Sequence, residues 1–349
     1  MRRTPSRARL AGAASVIVAL TAALAGCAQP VPEVKAPPKP AEPPAVVQSV
    51  QIDRILQELS ADLERAASES SVEGLTGRVG GAALTMVEAQ YAARAAGQKA
   101  IFYELGTSFV AGQIVARADD WPRSFVAVTD SAPTEAPFIY QLEQADARSP
   151  YKLVLWARLL AGATVPPATA AAVGSEVVAD DESVKLAMAP AAALEAYARA
   201  KDDPVGADAQ LFDTALRDGR DPDPAREAWT ALVKGWTDTA ALVPASAVAA
   251  SSKVVDHSVY ALATTDSGAL VFGQVESSVE FEFAAAEGLY VDIAADKGYG
   301  GLGPSTLRVS RLARIDQLQT VVLAVPPAGA DQPIRVIAVA DLPTAVLVE

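Results

Sequence analysis

The hydrophobic residues of this chain change period from helical to alternating twice, and no single motif constrains its folding as much. Ile52, Ile55, Leu56, Leu59, Leu63 and Ala66 recur at helical spacing, with Asp53, Glu58, Asp62 and Arg65 opposite them. That spacing predicts an amphipathic helix. A second helical stretch is expected over residues 75–96, carrying Leu84, Val87 and Tyr91 after the break at Gly80 and Gly81. The pattern then becomes strand-like. Residues 121–128, 138–142 and 151–160 read as strands, the first ended by Asp130-Ser131 and the last by Gly162 and Pro166-Pro167. The second half repeats the order. Pro190 opens a helix carrying Leu194 and Tyr197, and further helix is expected over 211–216 and 226–236. Strands follow over 259–264 and 269–275, joined by the turn Asp266-Ser267-Gly268, then over 309–315, 320–325 and 334–339. Val279, Phe281 and Phe283 alternate with Ser278, Glu280 and Glu282, so that strand should bury one face and wet the other.

Helices followed by antiparallel strands, twice over, predict an α+β fold of two tandem domains, each with helices packed on one face of a curved sheet. The first is expected over residues 48–165 and the second over 189–349. The stretch 166–188, rich in Ala, Pro, Thr and Gly, reads as the linker. This order resembles the cystatin-like or nuclear-transport-factor-2-like architecture, a likeness of fold that carries no function.

The N-terminus reads as a targeting segment. Arg2, Arg3, Arg7 and Arg9 precede an uncharged stretch over 10–25 that is shorter than the roughly 20 residues a spanning helix needs. It ends in Leu24-Ala25-Gly26-Cys27, which resembles the lipobox of bacterial lipoproteins. The resemblance implies a signal peptide over 1–26, cleavage between Gly26 and Cys27, and a diacylglyceryl group on the Cys27 thiol. Two acyl chains anchor stably where one does not. Cys27 is the only cysteine, so the mature chain has no disulfide and depends on packing. Residues 27–47 form the lipidated end and a spacer. Its seven prolines between Pro30 and Pro44 favour polyproline II at about 3.1 Å per residue. The body is thereby expected on the outer face of the cytoplasmic membrane, extending into the cell wall.

Charge narrows the partners. Loss of residues 1–26 removes four arginines and no acid, leaving 25 bases against 42 acids and a net charge of −17. Such a chain repels nucleic acid and anionic lipid surfaces, so its membrane contact is through the lipid on Cys27. The absence of asparagine and the excess of Arg over Lys, 20 to 9, point to a GC-rich genome. At family level the chain resembles actinobacterial lipoproteins carrying a domain of unknown function. The residues behind that resemblance are the lipobox, the stretch from Leu75-Thr76-Gly77-Arg78 to Leu84, and the stretch from Val325-Pro326-Pro327 to Val336. It implies no activity.

Catalytic constellations are sparse. His257 is the only histidine and reads as a loop residue beside Asp256. Ser149-Pro150-Tyr151-Lys152 matches Ser-x-x-Lys but opens a strand, and the companion elements of penicillin-binding enzymes are missing. One His and no free Cys exclude a typical zinc site. Asp218, Asp221 and Asp223 could offer oxygens to calcium but lack the EF-hand spacing, and a solvated turn is the plainer reading. The glycine-rich run 298–304 has no P-loop lysine and reads as a turn. Trp121, Trp156, Trp229 and Trp236 read as core residues before a carbohydrate platform. No cofactor is expected.

These features favour a non-enzymatic envelope protein that binds a partner protein or an apolar ligand in the wall space, or serves in assembly. The alternatives are a lipid carrier and a wall-polymer hydrolase. The hydrolase would need two Asp or Glu carboxylates about 5 to 10 Å apart.

Overall fold

Nine strands close on themselves in a ring, and the strands of the two sequence halves share it. This computed structural model describes residues 42–95, 103–109, 112–130, 136–213, 224–284, 288–294 and 306–349. Residues 42–349 form one compact unit. Among the described residues the helices are α1 (Ser49–Glu69), α2 (Gly81–Ala95), α3 (Pro190–Asp202) and α4 (Pro224–Ala240). The first half contributes strands β1 (Gly112–Arg117), β2 (Arg123–Val128), β3 (Phe138–Gln144), β4 (Lys152–Leu159) and β5 (Ser175–Val178). The second contributes β6 (Ser246–Val254), β7 (Tyr260–Ala263), β8 (Ala269–Phe283), β9 (Val291–Ala294), β10 (Thr306–Val309), β11 (Leu312–Val325) and β12 (Arg335–Val348).

Around the ring the order is β1-β2-β3-β4-β12-β11-β8-β7-β5 and back to β1, antiparallel except at the β1–β5 join. The expectation of two tandem helix-on-sheet domains is therefore wrong, and the cystatin-like and nuclear-transport-factor-2-like analogies fall with it. β4 of the first half pairs with β12 of the second, Leu159 opposite Ala338. The stretch 166–188, expected as a linker, holds β5, which joins β1 on one side and β7 on the other. An open sheet leaves a row of unpaired N–H and C=O groups at each edge, and closure removes both rows. Which edges meet is decided between residues far apart in the chain, so hydrophobic period does not reveal it.

Alternation along the strands sends one set of side chains inward. Ile114, Val126, Ile139, Leu155, Leu262, Phe272, Val322 and Ile337 fill the barrel. The opposite set faces the helices. α1 and α2 cover Val115, Phe125, Tyr140, Leu153 and Trp156. The buried stripe of α1 is the one its spacing predicts, Ile52 to Ala66. The helix starts where Gln51 accepts the Gln48 N–H at 3.1 Å and ends at Ser70, whose φ of 51° turns the chain away. α3 lies on Val271, Val275, Val321 and Leu323. Its alanines bring it so close that a Cβ on Gly273 would stand 2.3 Å from Leu194.

β8 is longer than the barrel requires. Its residues 269–272 pair with β7, while 275–283 pair on the same edge with β6. β11 accompanies it throughout, and β12 pairs along nearly all of β11. The order β6-β8-β11-β12 thus continues past the barrel as an open extension. α4 and the β9–β10 hairpin pack on one face of it, over Val279, Phe281 and Ile315. The chain before α1 is also held. Pro44 and Val46 bond to Ala118 and Ala116 at 3.2 and 2.9 Å, Glu42 pairs with Arg117, and Val47 is buried.

Candidate functional site

The structure separates the residues that sequence singled out. Gly26, Cys27, Asp218, Asp221, Asp223 and the run 298–304 lie outside the described residues. Ser149 Oγ donates to Asp146 at 2.7 Å, and Lys152 Nζ donates to the Thr76 carbonyl at 2.7 Å, so this pair is held by different partners. His257 is exposed, at φ 57° in the turn after β6. Trp156, Trp229 and Trp236 are buried, while Trp121 is half-buried with the Arg123 guanidinium 4.3 Å from its ring centre. Among the described residues no group of three His, Cys, Asp or Glu side chains could hold a metal.

Polar side chains do enter the barrel near the start of β2. Ser124 lies opposite Glu143 in the β2–β3 register. Burial pushes the Tyr260 phenol well up, the neighbouring Ser124 hydroxyl opposes that shift, and the Glu143 charge adds to it. Loss of hydration likewise raises the Glu143 carboxyl. These groups can exchange hydrogen bonds, but apolar side chains fill the barrel beyond them.

A second polar set, which no local signal announces, lies outside the barrel where α3 meets Trp229 of α4 and the β11–β12 pair. Lys201 of α3 is buried against Gln317 Oε1 at 3.3 Å and stands 4.9 Å from the centre of the Trp229 ring. Asp341 of β12 and Gln319 of β11 are buried beside one another in the β11–β12 register. Asp202, next along the chain, accepts from the Ser252 N–H and Oγ, both at 2.6 Å. Lys201 sits in a helix whose other buried residues are mainly alanine, so sequence offered only its place on the buried side.

Exposed polar ground lies on the extension sheet. Its open face and Thr85 of α2 line a groove of about 500 Å³ with Ser251, Lys253, Glu276, Ser278, Arg314, Asp316 and Thr344. The charges alternate in sign. Lys253 stands 3.3 Å from Glu276, and Arg314 reaches Asp316 at 2.6 Å and Glu280 at 3.1 Å. Hydrogen bonding to Asp316 holds the Arg314 guanidinium above its ordinary range. Another groove, of about 650 Å³, runs beside β5 between Val177, Val184 and Ala328. These surfaces can present hydrogen bonds and paired charges to a macromolecule.

The class so defined is a side-chain-filled nine-stranded barrel with an open four-stranded extension. No protein-family model, curated protein or solved structure matches the chain.

Proposed function

We propose that this chain is an exported envelope lipoprotein, held by lipid on Cys27, whose folded body docks a partner protein through its surface. The observation that carries the reading is the filled barrel. Phe272, Ile139, Leu155 and Ile337 occupy the space where a carrier of this architecture would hold an apolar ligand. Binding is left to the outer grooves, of which the one on the extension is lined by paired charges and hydroxyls and the one beside β5 is mixed. Leu24-Ala25-Gly26-Cys27 and the spacer that follows support the tethered location. The role is non-enzymatic.

Two measurements test it. Membrane fractionation of cells producing the chain and its Cys27→Ser variant should move the variant alone into the soluble fraction. Native mass spectrometry of the chain released gently from membranes should give the mass of the polypeptide plus its anchor. A reproducible further adduct of lipid size would overturn the docking reading in favour of a carrier.

A further inference from the structure

One strand of the extension ends the sheet. β6 pairs with β8 on one side and, among the described residues, with no other strand. Ala284 donates to the Ala245 carbonyl at 3.0 Å and Val255 to the Gln274 carbonyl at 2.9 Å, so the odd-numbered residues of β6 bond toward β8. Antiparallel alternation then aims the N–H and C=O of Ser246, Val248, Ala250 and Ser252 away from the sheet. Asp202 takes the Ser252 N–H. Among the described residues, nothing accepts from the N–H of Ser246, Val248 or Ala250. Edge strands are normally blunted by a bulge, a proline, a charge or a covering helix, and here α3 meets the edge at Ser252 through Asp202. The register from Ser246 to Val254 has no shift, and the run before Lys253 holds only Ser, Ala and Val.

The neighbouring charge says what fits there. Ala247 and Ala249 are exposed on the open face, and Glu282 and Glu280 of β8 lie directly beyond them. A strand laid on β6 would pass its side chains over two methyl groups toward the Glu282 carboxylate and toward Glu280, which Arg314 already holds at 3.1 Å. Long cationic side chains reach that far, and alternate residues would lie beside half-buried Val248 on the other face. The charge of −17 on the mature chain favours a basic segment and opposes a second acidic copy.

We propose that the free edge of β6 is the docking site for an extended, basic segment of a partner protein, which joins the extension as an added strand. This rests on the docking reading above and gives the partner its chemistry.

The test uses the full chain in detergent and a synthetic peptide alternating lysine and valine, as long as β6. Amide hydrogen exchange at Ser246, Val248 and Ala250 should slow about tenfold or more on saturation. The peptide should bind about tenfold tighter than its glutamate-for-lysine counterpart, a difference of about 1.4 kcal/mol. Val248→Pro removes an outward N–H without touching the bonds to β8, and should abolish binding. N-methylation of alternate peptide amides should do the same, leaving both the charge and the protein unaltered. Unchanged exchange at the three amides, or binding that survives N-methylation, would overturn the proposal. Protection of those amides that rises with protein concentration and needs no peptide would overturn it by placing a second copy on the edge. If a partner captured by in-cell cross-linking binds undiminished to folded Val248→Pro, this proposal fails while the docking reading stands.

Discussion

The ammonium of Lys201 stands 3.9 Å from a carboxylate oxygen of Asp341, with both side chains buried where α3 meets β12. Removing one member of a buried ion pair strands the other, whereas removing both can be nearly neutral. Lys201→Met and Asp341→Leu should each cost about 3–5 kcal/mol, and the double variant should cost less than either alone. Denaturant unfolding of the four proteins measures this. Losses that simply add would show that the two charges do not sense one another.

Gly273 is required by the approach of α3. Its absent Cβ would lie 2.3 Å from Leu194 Cδ1, in a cluster where Leu194 is fully buried. Gly273→Ala should destabilise by about 1–3 kcal/mol through overpacking. Combined with Leu194→Ala it should cost less than the two separate losses together, as unfolding midpoints would report.

Glu143 should make stability depend on pH. Burial raises its carboxyl in the folded state, so folding favours the protonated form. That contribution is complete below the ordinary carboxyl range and is lost as pH rises through the elevated value. Glu143→Gln should therefore raise the melting temperature more at neutral pH than at pH about 4. An equal shift at both would remove Glu143 as the source.

The barrel interior should behave as a solid core. Phe272 is fully buried there, beside Leu270 and Tyr260. Phe272→Ala should cost about 3–5 kcal/mol, measured by chemical unfolding, because rigid neighbours on several strands cannot collapse into the space. A loss below about 1 kcal/mol would mean that the interior is loosely filled.

Several elements were legible in the sequence because their causes are local. The apolar stripe from Ile52 to Ala66 became the buried side of α1. Asp266-Ser267-Gly268 became the turn between β7 and β8, with the Thr264 N–H bonded to the Gly268 carbonyl at 2.9 Å. Val279, Phe281 and Phe283 are buried, as their alternation requires. The candidate site was less legible. The free edge of β6 lies in Ser246–Val254, a run of Ala, Ser and Val with too little hydrophobic contrast to announce a strand.

Alone, the sequence determined the periods, the turns, the strong negative charge and the lipobox-like end at Cys27, all of which reside in neighbouring residues. The tertiary structure decided that one ring joins both halves, that β8 serves barrel and extension, that Lys201 meets Asp341, and that β6, among the described residues, pairs with a strand on one side only. Each is a pairing between distant segments. Backbone hydrogen bonds are the same for every residue type, so the choice among edges depends on how the whole sheet closes and what it buries.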